Sequence, residues 1–330
     1  MDGEVIWSNE FSELVEIRYT LINCLNRRVK AWGIEFSAGF FKERFKDLLT
    51  LPSETHIATL RGHIHTVNCF TVHNTILYSG SGDKTIRAWN LDTNECISTL
   101  HGHTGHVYCL IVHNNILYSG SLDKTIRAWS LDTNECITEL QGHTSGVRCL
   151  IVHNTILYSG SGDETIRAWN LDTNECISTL HGHTGYVYCL IVHNNILYSG
   201  SSDETIRAWN LDTNECITVL QGDRYVNCIV VHNNILYSGS GDNTISAWSL
   251  DTNECIATLQ GHTGYLNRLI VHNDVLYSGS GDKTIRAWCL DTNECIATLQ
   301  GHTGYVGCLI VHKNILYSGS YDKTIRTWKL

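Results

Sequence analysis

Several things are scarce in this chain, and each scarcity closes a line of reading. Among 330 residues there is one proline and one methionine. No run of about 18 apolar residues occurs, so no membrane span is expected. The N-terminus is acidic and lacks a basic stretch followed by an apolar one, so a secretory leader is not expected. No basic run occurs, and the formal net charge is −10. That argues against nucleic acid as a partner, because phosphate contacts need a concentrated basic surface. No Cys-x-x-Cys pair occurs, so a zinc site is not expected. A glycine-rich phosphate loop is missing too: Ser-Gly-Ser-Gly-Asp leads into a strand pattern rather than a helix.

What is there is one unit, copied. The stretch Leu100–Leu131 reads L-H-G-H-T-G-H-V-Y-C-L-I-V-H-N-N-I-L-Y-S-G-S-L-D-K-T-I-R-A-W-S-L. Its tryptophan recurs as Trp89, Trp129, Trp169, Trp209, Trp248, Trp288 and Trp328, in steps of 40 with one step of 39 into Trp248. Gly-His leads six of the copies and Gly222-Asp223 leads the fifth. A fixed period of this size means a solenoid, a propeller or an array.

The elements inside the period decide among these. Val107–Val112 is a continuous apolar run suited to a doubly buried strand. His113-Asn114-Asn115 reads as a tight hairpin turn, since Asn tolerates positive φ. Ile116–Ser121, Thr125–Leu131 and Glu135–Leu140 read as three further strands, and Asn134 falls where a left-handed residue is wanted. Nothing in the copy has helical periodicity. Four strands per repeat predict an all-β fold, a seven-bladed propeller.

Gly-His, then Ser-Gly-Ser-x-Asp, then Thr-Ile-Arg-Ala-Trp resembles the WD-repeat β-propeller family, seven times over roughly residues 55–330. The Asp that usually follows the Trp is absent; Asn90, Ser130, Asn170, Asn210, Ser249, Cys289 and Lys329 stand there. The resemblance implies a hydrogen-bonded chain of His, Ser, Asp and Trp in each blade. Carried over, the sets are His63, Ser79, Asp83 and Trp89; His103, Ser119, Asp123 and Trp129; His143, Ser159, Asp163 and Trp169. The others are His183, Ser199, Asp203 and Trp209; His262, Ser278, Asp282 and Trp288; His302, Ser318, Asp322 and Trp328. The chemistry agrees: a buried indole N–H needs an acceptor, and a hydroxyl accepts it while donating to an imidazole. Ser121 shares the strand parity of Ser119, so either serine suits the role. Ser, His and Asp are also the types of a hydrolase triad. Six copies of one site, each with an indole on the hydroxyl, weigh against that reading.

Twelve of the fourteen cysteines follow the repeat. Cys69, Cys109, Cys149, Cys189, Cys228 and Cys308 fall in first strands; Cys96, Cys136, Cys176, Cys216, Cys255 and Cys295 fall in fourth strands. Within a blade those strands are about 14 Å apart, beyond the roughly 7 Å that a disulfide spans. Both sets are expected to be small buried hydrophobes, in a cytoplasmic or nuclear protein.

Residues 1–53 lie outside the repeat. Asn9–Asn26 and Phe40–Leu49 carry amphipathic helical patterns, so a short N-terminal helical extension is expected, ended by Pro52. The pair of helices caps the propeller or belongs to a partial F-box-like segment. The latter rests on Arg27–Trp32 and Phe41–Phe45, which are similar to the C-terminal part of an F-box; the leading Leu-Pro of that domain is absent. An F-box would make residues 1–50 the contact with a ubiquitin-ligase adaptor. The domain 54–330 then begins with residues 55–60, which match a fourth strand, while the last copy has none of its own. That extra strand is expected to complete the last blade and close the ring.

Two groups of residues remain. Seven histidines (His73, His113, His153, His193, His232, His272 and His312) follow the first strands and are expected to ring one mouth of the channel as solvated turn residues, with a metal or pH-sensing ring as the alternative. Where the copies differ, three rows of positions should face the opposite mouth. Those rows give His106, Tyr108, Leu122, Arg148, Tyr186, Tyr188, Tyr225, Tyr265, Tyr305 and Tyr321 as candidate partner-binding residues. The function expected is a non-enzymatic scaffold that binds a protein or peptide there, with no cofactor. One alternative is the substrate receptor of an F-box type ubiquitin ligase; another is a metal- or histidine-dependent hydrolase.

Overall fold

The computed structural model describes residues 56–222 and 224–330. The expected helices of 1–53, the F-box-like segment and Asp223 lie outside them.

The second copy shows how the unit folds. Its strands are Val107–His113, Ile116–Ser121, Ile126–Ser130 and Cys136–Leu140, antiparallel and paired in that order. The first turn places Asn114 and Asn115 at φ of 47° and 61°, the left-handed pair that a two-residue hairpin needs. Asn134 takes φ 60° in the third turn. In five blades the side chain of the residue after the Trp helps to close that same turn. Asn90 accepts the backbone N–H groups of Asp92 and Thr93 through Oδ1 at 2.8 and 3.1 Å, so an amide stands in for the family's carboxylate.

Seven such four-stranded sheets form the unit His56–Lys329. The inner strand of each blade lies against those of its neighbours, the last against the first. In the last blade, Val306–His312, Ile315–Ser320 and Thr324–Lys329 are joined by His56–Arg61, which pairs antiparallel with Thr324–Lys329. The fold is the seven-bladed propeller that the four-strand period predicts, with strand ends within a residue or so of expectation.

The core lies between blades rather than inside them. Cys69, Tyr78 and Ile86 of blade 1 pack on Val107, Leu117 and Trp129 of blade 2. This explains the Gly of Ser-Gly-Ser: a Cβ on Gly80 would stand 2.5 Å from Cys69 Sγ and 2.6 Å from a Val107 methyl. Leu60, Val67, Trp89, Cys308 and Ile325 make the equivalent cluster where the ring closes.

The cysteines need one correction. The first-strand set is buried, as small apolar fillers are. The fourth-strand set is not: Cys96, Cys136, Cys176, Cys216 and Cys255 are exposed and Cys295 is half-buried. The fourth strand is the outer edge of its blade, so the covering that buries the inner strand is missing there. None of the described cysteines is in a disulfide.

Candidate functional site at the channel mouth

Two sets of side chains carry the site: a buried frame and a variable rim. The frame is the His-Ser-Asp-Trp chain. In six blades the Trp Nε1–H donates to Ser Oγ at 2.7–2.8 Å, and the imidazole Nε2 meets the same oxygen at 2.7–2.8 Å. Nδ1 lies 2.6–2.7 Å from the Asp carboxylate. The carboxylate only accepts, so Nδ1 carries the proton and Nε2 accepts the hydroxyl hydrogen. The partner of the indole is Ser119, not Ser121; Ser121 Oγ instead accepts the N–H of Asp123 at 3.1 Å.

The Asp also holds the loop. Asp163 accepts from the Thr144 N–H at 2.9 Å, and from the N–H and hydroxyl of Thr165 at 3.1 and 2.6 Å. Burial alone would raise its pKa, but hydrogen bonds from His143 and Thr165 outweigh burial and hold the carboxyl well below the usual range. Asp203 is held at about 2 on the same balance of burial against Thr205 and His183. Burial lowers His183, which keeps that ring neutral. The serines are fully buried. A substrate has no path to these hydroxyls, which argues against a nucleophilic role for the trio.

The rim is set by a backbone irregularity. Every inner strand carries a register shift just after its Val or Leu, so one residue has no partner on the second strand. Those seven unpaired residues all line one cavity of about 370 Å³ at the channel mouth. Asn68, Tyr108, Arg148, Tyr188, Asn227, Asn267 and Gly307 are joined there by Tyr225, Tyr265 and Tyr321. Arg148 stacks its guanidinium on Tyr108, 4.3 Å from the ring centre, with Tyr186 5.7 Å away. Its Nε is buried without a partner among the described residues. Tyr305 stands 5.4 Å from both Tyr265 and Tyr321. Burial, then the phenols of Tyr321, Tyr305 and Tyr225, push the Tyr265 hydroxyl up to about 12. His106, Leu122, Tyr186 and Tyr305 do not line the cavity. Leu122 and Tyr186 are 41% and 44% exposed, and His106 sits beside His65 at 5.1 Å between ring centres.

Comparison with known proteins now decides the family. The model of the "WD domain, G-beta repeat" matches seven times, at residues 54–90, 94–130, 134–170, 174–210, 214–249, 253–289 and 293–329. The chain belongs to the WD-repeat family. Matches to curated proteins are short. Residues of this WD-repeat protein are 50% identical over 42 positions to Zinc finger CCCH domain-containing protein 62 of Arabidopsis thaliana, 13% of this chain and 10% of that one. They are 42% identical over 45 positions to Probable E3 ubiquitin ligase complex SCF subunit scon-2 of Neurospora crassa, 14% of this chain and 7% of that one. The chain thus aligns with a tenth or less of each relative. A WD-repeat propeller of this kind fits a protein-interaction scaffold.

Three features of the WD-repeat ring lie outside the sequence expectation or refine it. Asn68, Asn227 and Asn267 spend their amide N–H groups on backbone carbonyls of the next blade, at 2.8–3.0 Å, so they staple blades together as well as line the mouth. Arg268 was missed. It occupies the position of the first-strand cysteines, yet it is exposed, and its positive charge acts on thiols in five other blades, opposing the effect of their burial. The signal was in the sequence: one column reads Cys in six copies and Arg in the sixth. Three of the seven histidines of the other mouth bond to the next blade's hairpin, His193 to Asn234 at 3.3 Å, His232 to Asp274 at 2.9 Å and His272 to Asn314 at 2.9 Å. Among the described residues no group of three or more His, Cys, Asp or Glu is placed to hold a metal.

Proposed function

We propose that the channel mouth holds a segment of a protein partner, an extended peptide with an apolar anchor and an acidic group. The observation that carries this is Arg148. Its guanidinium lies against Tyr108, and its Nε is buried without a partner among the described residues. A ligand carboxylate pairs with the part of the guanidinium that faces the cavity. The tyrosines around it supply rigid area with polar tips, the kind of side chain that dominates interface energy. A heavily phosphorylated ligand matches less well, since the three variable rows of this rim hold a single arginine, Arg148. The test is affinity capture with wild-type protein and with Arg148→Glu, each followed by mass spectrometry. A protein captured by the wild type and lost with the variant is expected; identical captures would contradict the reading.

A second reading is favoured by the short match to the ubiquitin-ligase subunit and by the resemblance of Arg27–Trp32 and Phe41–Phe45 to part of an F-box. In it the propeller presents substrates while residues 1–50 bind the ligase adaptor. Recovery of an adaptor by the full chain, and its loss when residues 1–50 are removed, supports this; no adaptor with the full chain ends it.

A further inference from the structure

The outer strands of the blades present thiols beside guanidinium groups. Arg87 Nη1 is 3.5 Å from Cys96 Sγ, Arg167 Nη1 is 3.8 Å from Cys176 Sγ, and Arg207 Nη1 is 3.8 Å from Cys216 Sγ. Arg286 and Cys295 repeat the pair at 3.6 Å. These arginines are fixed in place: Arg207 packs against Gly182 beside the Trp209 ring. Their Nε atoms are buried without partners, and none of the four has a carboxylate partner among the described residues. Three of the four sulfurs belong to exposed residues, Cys295 being half-buried. An exposed thiol and an uncompensated cation thus stand together in blade after blade.

The molecule contains its own controls. In blade 5 the arginine is replaced by Ser246, so Cys255 is exposed with no guanidinium beside it. In blade 2 Arg127 is claimed by Glu139 at 2.6 Å, and its Nη1 stands 4.0 Å from Cys136. The first-strand thiols are buried, and burial raises those of Cys69, Cys149 and Cys228 to about 12. In each outer pair, including Cys255, the thiol also donates to the carbonyl two residues on, at 3.4–3.5 Å, so that contact does not distinguish them.

We propose that the outer-strand cysteines beside unpaired arginines are sites of reversible mixed-disulfide formation with a small anionic disulfide. The thiolate is the nucleophile, and a guanidinium at hydrogen-bond distance from the sulfur draws a carboxylate-bearing reagent to it. The thiol proton goes to solvent. Sγ attacks one sulfur of the reagent, a new S–S bond forms, the old S–S bond breaks, and the departing thiolate keeps its electron pair. The protein sulfur is oxidised and the released one reduced, so no further oxidant is needed.

The experiment treats the folded full chain briefly with oxidised glutathione, blocks remaining thiols, and measures each site by peptide mass spectrometry. Cys96, Cys176 and Cys216 should be modified about two- to five-fold faster than Cys255, the range expected of an exposed charge pair. Ser246→Arg should bring Cys255 up to their rate, and Arg207→Gln should bring Cys216 down to that of Cys255. Cys255 keeping pace with the other three in the wild type would overturn the proposal, and so would a Ser246→Arg variant whose Cys255 reacts no faster.

Discussion

At the scale of the residue, the stability of each blade turns on a serine that serves two partners. Ser159 accepts from Trp169 and donates to His143 at 2.8 and 2.7 Å, all three being buried. Replacing Ser159 by Ala leaves the indole N–H and an imidazole nitrogen without partners, which costs about 1–3 kcal/mol. Urea denaturation should show this loss as a lower midpoint with an unchanged slope. Protonation acts on the same chain. All six aspartates of the frame are held below the usual carboxylate range. The unfolded chain therefore takes up protons first, and the stability they contribute is full above the unfolded value of about 3.9 and is lost as pH falls below it. His183, lowered by burial, adds a smaller loss that begins near the unfolded value of about 6.5. Thermal melting should show a shallow decline below the His value and a steep one below the Asp value; a midpoint flat to pH of about 3 would contradict the assignment.

At the scale of the element, blade 5 and the closing strand are the exceptional pieces. Blade 5 keeps the Trp248–Ser238 bond at 2.9 Å but has no Gly-His histidine, and Trp248 is 8% exposed where Trp169 is 2%. Amide exchange is expected to be faster in Ile245–Ser249 than in Ile166–Asn170, because local opening starts where packing is thinnest. Equal protection in the two strands would count against it. The strand His56–Arg61 is the edge cover of blade 7. Deleting residues 54–61 should expose Thr324–Lys329 and cause aggregation; a monomer with an unchanged melting temperature would contradict that. The elements were legible in the sequence because each is fixed locally: Asn at the left-handed turn positions, β-branched and aromatic runs between them, and a Trp to mark the period. The exposure of Cys96 and its counterparts was not legible, because Cys-Ile opens the strand as a buried pair would and only the edge position leaves it open. Arg268 was hidden for a related reason: its column is buried wherever Cys fills it and is exposed only where Arg does.

At the scale of the whole molecule, seven near-identical blades make a rigid frame, and the differences between them gather at one mouth. The candidate rim was legible by comparing copies within the chain. The register shift that aims Tyr108, Arg148 and Tyr188 inward was not, since a bulge changes pairing without changing composition. The stapling role of Asn68, Asn227 and Asn267 was likewise invisible, because it depends on a carbonyl of the neighbouring blade. We propose binding at the Tyr-lined mouth and a structural role at the histidine-lined one. The most direct test is the affinity of a captured partner for three variants, Tyr186→Ala, Tyr188→Ala and His193→Ala, measured by calorimetry. The account predicts a loss of about 1–3 kcal/mol for each tyrosine with the fold intact, and no change for His193→Ala. Unchanged affinity with both tyrosine variants, together with loss of binding in His193→Ala, would contradict it.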